Sequence, residues 1–290
     1  MKDIKIPVVG LHAQTGPGSQ PPDPDGSEMM FTQMPEGMTT FHAPLIPEAE
    51  DTAGLETAIA LGETLLKQLQ NYRIGDQTPM IELDSLNLKN RTFFDQLLGE
   101  GEVSVQCNGN INALVQESVL AGIWRVQYVD DQKNVLRDII EVADIPGLVS
   151  ELTFSNAADH LDVTQLTPPE TVYNAPPLLA EIADKLPEYH PDGQPHVINL
   201  SLLPHTEDDI AYLSDCLGIG PIIILSRGYG NCRISSTGTR NVWWVQYFNS
   251  QDTLILNTLE ISKVPAVACA SKEDIEDSSQ RLDEILSIYR

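Results

Sequence analysis

Basic residues are scarce in this chain. Seventeen lysines and arginines stand against 42 acidic residues among 290, for a formal net charge of −25. A surface so negative repels phosphate backbones and anionic lipid headgroups, so neither nucleic acid nor a membrane is expected as a partner. A protein with basic regions would be attracted, although surplus charge also serves solubility alone. Long apolar runs are missing too: none approaches the ~20 residues that a membrane helix needs. The opening Met1-Lys2-Asp3-Ile4-Lys5 lacks the apolar core of a secretory signal and holds no Arg-Arg pair, so a cytoplasmic location is expected. The four cysteines, Cys107, Cys216, Cys232 and Cys269, form no Cys-x-x-Cys pair, and none has histidine at metal-ligand spacing. No disulfide framework, metal site or cofactor is expected from them.

Catalytic signatures are absent as well. The glycines are not followed by Gly-Lys-Ser/Thr, which excludes a phosphate loop. No Gly-x-Ser-x-Gly elbow accompanies the scattered histidines. Arg227-Gly228-Tyr229-Gly230 opens like an RNA-recognition signature, but Asn231-Cys232-Arg233-Ile234 follows where aromatics are required. The chain is therefore expected not to be an enzyme.

What is present falls into a plan. Residues 1–50 read as an extended, acidic arm. Gly16 to Gly26 is too rich in proline and glycine to propagate helix or strand, and no Lys or Arg occurs from Ile6 to Leu66. Met29, Met30, Met34 and Met38 cluster there. This composition suits a disordered, solvating arm or an adaptable apolar arm that closes over a partner or the chain's own core. Phe41–Pro47 reads as extended chain that docks.

Beyond the arm the sequence repeats itself. A shift of 119 residues aligns 97–146 with 216–265 without a gap. Leu98, Gly99, Gly101, Gly109 and Asn112 match Leu217, Gly218, Gly220, Gly228 and Asn231. Trp124, Val126, Gln127 and Tyr128 match Trp243, Val245, Gln246 and Tyr247, and Gln132, Glu141 and Pro146 match Gln251, Glu260 and Pro265. Each half reads as an amphipathic helix, a short strand, a helix stopped at a glycine (Gly99, Gly218) and several alternating strands. The expected fold is α+β: a duplicated unit with a largely antiparallel sheet flanked by helices, its halves related by a pseudo-two-fold. The expected division is a first repeat over 51–150, a linker over 151–175, and a second repeat over 176–290 ending in a helix capped by Ser271.

Shared residues serve the fold, so function should sit where the halves diverge. Residues 216–251 contain Arg227, Arg233 and Arg240 and no acid, whereas 97–132 carries Glu100, Glu102, Glu117, Asp130 and Asp131. The inversion centres on Ser226–Arg233. Arg227, Tyr229, Asn231, Cys232 and Arg233 are candidate partner-binding residues, since arginine and tyrosine favour binding hot spots. Equally, this could be a hairpin whose arginines pair with surplus carboxylates. Trp244 replaces Arg125 and is a candidate exposed anchor, while Trp243 matches Trp124 and reads as core. Cys232 lies between arginines that favour a thiolate, and Cys269 precedes a helix N-terminus, so both are candidates for a thiol role. A small buried residue is the alternative for Cys269.

The same residues carry a family resemblance. Ser226–Ile234, Asn241–Glu260 and Val264–Ser278, with Asn174–Ile182, His196–Pro204 and Gly16–Gln20, resemble the HupH/HyaF/HoxQ hydrogenase expression proteins. The second half follows the family's C-terminal region, and the first half follows more loosely. The resemblance implies a client-specific chaperone for a membrane-bound nickel–iron uptake hydrogenase. Its client would be the iron–sulfur small-subunit precursor before export, and it would work beside a thioredoxin-like hydrogenase accessory protein. It implies no cofactor, metal or catalytic residue. The alternative is a thiol-active or iron–sulfur cluster assembly factor using Cys232 and possibly Cys269.

From the composition of residues 12–36, backbone amides there should exchange with solvent at near-intrinsic rates in the free protein. Strong protection across that stretch would contradict this reading.

Overall fold

The computed structural model describes residues 52–228 and 230–290; the arm over 1–50 and Tyr229 lie outside the described residues. The first half contributes α1 (Glu56–Asn71), β1 (Ile81–Glu82), α2 (Leu88–Leu98), β2 (Val103–Cys107), β3 (Asn112–Glu117), β4 (Ile123–Val129), β5 (Val135–Val142) and α3 (Gly147–Leu152). The second contributes α4 (Ala175–Lys185), β6 (His196–Asn199), α5 (Glu207–Leu217), β7 (Ile222–Ser226), β8 (Asn231–Ser236), β9 (Val242–Phe248), β10 (Leu254–Ile261) and α6 (Lys272–Ser287). The fold is α+β, as the patterning implies.

All ten strands form one antiparallel sheet in the order β1-β5-β4-β3-β2-β7-β8-β9-β10-β6. The order reads the same from either end once each strand is exchanged for its counterpart. The halves meet where β2 pairs with β7, and there Val105 faces Ile224, its own counterpart at the 119-residue offset. A strand pairing antiparallel with its own duplicate is an isologous contact, so the pseudo-two-fold axis passes through this pair.

Side chains alternate across the sheet. One face buries Val105, Val115, Trp124, Val126, Ile222, Ile224, Trp243 and Val245 beneath α3, Phe154 and the short turn Ala266–Ala268. The opposite face carries two separate cores. Near β5 and β1, Ile140 and Val142 pack with Leu65, Leu69, Phe93, Phe94 and Leu97 of α1 and α2. Near β10 and β6, Leu259 and Ile261 pack with Leu178, Leu179, Ile182, Leu213 and Leu217 of α4 and α5.

Each helix pair is tied by one polar side chain in matching positions. Asn87 caps α2 and Thr206 caps α5. Buried Asn90 accepts the Ala58 N–H of α1 (2.8 Å). Its counterpart, buried Asp209, accepts the N–H groups of Tyr173, Asn174 and Ala175 at the start of α4 (2.9, 2.8 and 3.0 Å). Burial pushes the Asp209 carboxyl up, but N–H donors from Thr206, Asn174 and Ala175 outweigh it and hold the group far below the usual range.

The core of the first half is closed by a segment of the second. α6 ends the second half, yet its Ile275, Leu282 and Leu286 lie in the core of the first. Approach is close: a Cβ on Gly62 of α1 would stand 2.9 Å from a Leu286 methyl, and one on Gly122 would stand 2.6 Å from Ile275 Cγ1. Conversely, Leu161, Val163 and Leu166 pack against the core of the second half, and Ala158 bridges to Thr239. The stretch read from sequence as a connector thus packs onto the repeat that follows it, and the closing helix onto the repeat that precedes it.

Leu282→Ala, at a fully buried site, should cost about 2–5 kcal/mol. Hydrogen exchange should show protection falling first in α1 and α2 and not in α4 and α5. Loss confined to α6 and the second half would refute the exchange of closing segments.

Candidate functional site

The loop after β7 sits at the seam between the halves. The β2–β7 ladder continues past Val103–Ser226, with the Arg227 N–H donating to the Glu102 carbonyl (3.1 Å). At Gly228 the chain passes close to the Glu102 side chain: a Cβ there would stand 2.1 Å from a carboxylate oxygen, which would have to swing aside. Gly230 adopts φ +103°, which lets the chain turn into β8.

The sequence candidates do not form one surface. Arg227 is half-buried beside Glu102, and Asn231 is half-buried with its amide 3.4 Å from Asp252 Oδ1. Asn112, the counterpart of Asn231, bonds Asp131 in the same manner (3.0 Å), so the asparagine serves a turn common to both halves. Cys232 and Arg233 are adjacent in sequence but alternate across β8. Cys232 faces the central core, and Arg233 is buried on the opposite face. Arg240 pairs with Asp159.

Three expectations therefore change. Flanking arginines were expected to favour the Cys232 thiolate, but burial pushes that thiol up to about 12. Cys269 is half-buried and also pushed up to about 12, by burial first and then by Asp144, so the helix N-terminus beyond it does not prevail. Trp244 is half-buried against the second-half core, and its indole N–H donates to Asn257 Oδ1 (2.6 Å), so it is not a free anchor. Trp244 and Asn257 stand where the first half has Arg125 and Asp138, an ion pair with Nη2 to Oδ2 at 2.7 Å.

Beside the loop lies a cleft of about 700 Å³ built from both halves and α6. Glu102, Asp274, Asp277 and Arg281 are exposed at its rim; Glu117 is buried within it, and Cys269 forms part of its wall. Glu117 follows Ala113 and Val115 on the inward face of β3, so alternation directs a carboxylate toward apolar neighbours. It is 7 % exposed, and the Gly122 N–H reaches its Oε1 only at 3.5 Å. Burial, aided by the charges of Glu102 and Asp274, pushes the carboxyl up to about 7. Its counterpart Ser236 lies against Gly220, and its hydroxyl accepts the Ile222 N–H (3.0 Å) and donates to the Ile222 carbonyl (3.2 Å). The buried acid thus belongs to one half only. Inward alternation together with mismatch to Ser236 was the signal for it in the sequence.

Among the described residues, no group of three or more His, Cys, Asp and Glu is placed to hold a metal ion, and no helix is long and apolar enough to cross a membrane.

Comparison with known proteins completes the description. The family model described as "HupH hydrogenase expression protein, C-terminal conserved region" matches twice, over residues 55–162 and 172–289, so both halves carry the unit. The chain is 44% identical to "Hydrogenase expression/formation protein HupQ" of Azotobacter chroococcum, over 93% of this chain and 94% of that protein. It is 44% identical to "Hydrogenase expression/formation protein HoxQ" of Cupriavidus necator, over 99% and 98%. A solved structure described as hydrogenase expression protein HupH from Thiobacillus denitrificans is 29% identical, with TM-score 0.37, over 39% of this chain and 95% of that one.

Folded Glu117 ionises near 7 against an ordinary 4.5, so between those values the folded chain keeps a proton that the unfolded chain releases. Stability should fall as pH rises through that window. Glu117→Gln should stabilise the fold at about pH 8 by on the order of 2 kcal/mol, and so raise Tm there, while changing stability little near pH 4.5. Calorimetry showing equal effects at both pH values would count against a buried, uncompensated carboxylate.

Proposed function

The chain belongs to the family of HupH hydrogenase expression proteins, and from that premise we propose that it is an accessory factor in hydrogenase maturation. It works by holding a protein client and catalyses no reaction. The client is the iron–sulfur small-subunit precursor of a membrane-bound nickel–iron uptake hydrogenase, held in the cytoplasm before export, with a thioredoxin-like accessory protein acting beside it.

The observation that carries this reading is the cleft at the seam. Glu102, Glu117, Asp274 and Asp277 converge there beside the single cation Arg281, and Glu117 has an uncharged counterpart, Ser236. A chain of net charge −25 attracts basic segments of a client from a distance, and an open cleft then gives them a defined place to dock. The Arg227 loop borders the same cleft through Ser226 and Gly228, so the loop stays within the proposed contact surface. A thiol-active factor draws less support, because burial holds both Cys232 and Cys269 as thiols.

Affinity-tagged full-length protein should recover the small-subunit precursor from hydrogenase-expressing cells. Arg227→Ala should weaken that capture, with a hot-spot cost of about 2 kcal/mol if the side chain reaches the client. Cys232→Ser should keep both capture and hydrogenase activity in a complemented deletion strain. Recovery of no hydrogenase subunit would overturn the client role, and capture without maturation in Cys232→Ser would revive the thiol reading.

A further inference from the structure

The first half holds three buried acids on its strands, Glu117, Asp138 and Glu141, and they are treated differently. Asp138, fully buried, is met by Arg91, by Arg125 at 2.7 Å and by Gln127 at 3.1 Å. A buried carboxylate left without a cation or short donors is costly, and the other buried acids have them: Glu141 accepts the Gly147 N–H at 2.9 Å, and Asp209 accepts three backbone N–H groups. Glu117 is 93 % buried and has no ion pair among the described residues. The Gly122 N–H reaches it only at 3.5 Å, and the Val103 N–H adds a second, weak backbone contact. Nor does the fold require an acid there, because Ser236 fills the equivalent place in the other half and satisfies itself on Ile222.

The surroundings sharpen this. The groups facing Glu117 across the cleft are Glu102 ahead of β2, Asp274 and Asp277 on α6, the Cys269 thiol, and Arg281 on the rim. Asp274 also accepts from the Ser271 hydroxyl at the α6 cap (2.7 Å). The cavity, about 700 Å³, exceeds what one side chain fills and lies open to solvent. It is sized for a short extended segment bearing a cation.

We propose that this cleft is a receptor for a basic side chain, arginine or lysine, on an extended segment of the protein client, with Glu117 as its buried counter-charge. The inference rests on the client role proposed above and adds the chemistry of the contact. The side chain enters between the start of β2, the end of β3 and α6, displaces water from the Glu117 carboxylate, and keeps its stem against Val103, Val119 and Val267. Rim carboxylates steer the approach, while Glu117 confers selectivity, because its charge is restored to a partner only when a cation arrives. Client binding and ionisation of Glu117 are therefore linked, and affinity rises with pH through the range where the free group titrates.

The test is titration calorimetry on the full chain with a capped Gly/Ser pentapeptide bearing one central arginine, and matched peptides bearing lysine or uncharged citrulline. Salt near 0.15 M screens long-range surface attraction. The arginine or lysine peptide should bind, the citrulline peptide should not, and Glu117→Gln should weaken binding at least roughly tenfold while Glu207→Gln on α5 changes nothing. Wild-type affinity should rise roughly tenfold between about pH 6 and pH 8, an arm that needs no variant. Equal binding of the citrulline peptide, indifference to Glu117→Gln, or no binding of either cationic peptide would overturn the site. If precursor capture persists while the peptides fail to bind, the receptor fails and the client role stands. Peptide binding without precursor capture has the opposite meaning.

Discussion

The pairing of β2 with β7 is the contact on which the structure depends. It joins two five-stranded halves into one sheet through five residue pairs, from Val103–Ser226 to Cys107–Ile222. Without it each half would expose an apolar edge strand, a template for aggregation. Beneath it, Val105, Ile222 and Ile224 are almost wholly buried, so hydrogen bonds and apolar burial favour the same register. The same ladder carries Arg227 against Glu102 and so sets the loop beside the cleft. Fold and candidate site share one seam.

Exchange of the closing segments makes that seam cooperative. α6 buries Ile275, Leu282 and Leu286 in the first-half core, and 161–166 leans on the second. At roughly 1.5–3 kcal/mol per fully buried aliphatic side chain, the α6 contribution is large against the net stability of a domain, and that of the half-buried 161–166 is smaller. A duplicated sequence has thus produced halves that complete each other. One wall of the cleft is α6, so the site exists only when the exchange has been made.

Much of this was legible in the sequence for physical reasons. The 119-residue offset is visible at positions such as Gly101 and Gly220, which tolerate nothing larger: a Cβ would stand 2.2 Å from the Ser118 carbonyl oxygen at the first and 2.7 Å from the Thr237 carbonyl oxygen at the second. Trp124 and Trp243 persisted as wholly buried core residues, and period-two alternation marked the strands. The partner of α6 was not legible, because an apolar stripe states that a helix packs without stating on which half. The site was read too locally. Arg233 and Cys232 are neighbours along the chain but face opposite sides of β8, so proximity in sequence predicted a thiolate that burial forbids. Glu117 is one acid among many in the sequence, and only its place after Ala113 and Val115 on β3 marks it as turned inward.

The central claim is that a hydrogenase client docks at the seam cleft and not elsewhere on the sheet. A photo-crosslinking residue at Asp277, exposed on the cleft rim, and another at Leu136, 68% exposed on the β4–β5 hairpin at the opposite end of the strands, would decide it in hydrogenase-expressing cells. The account predicts a covalent product with the hydrogenase small-subunit precursor from position 277 and none from 136. Crosslinking from 136 alone, or a precursor that joins neither position while still co-purifying, would contradict it.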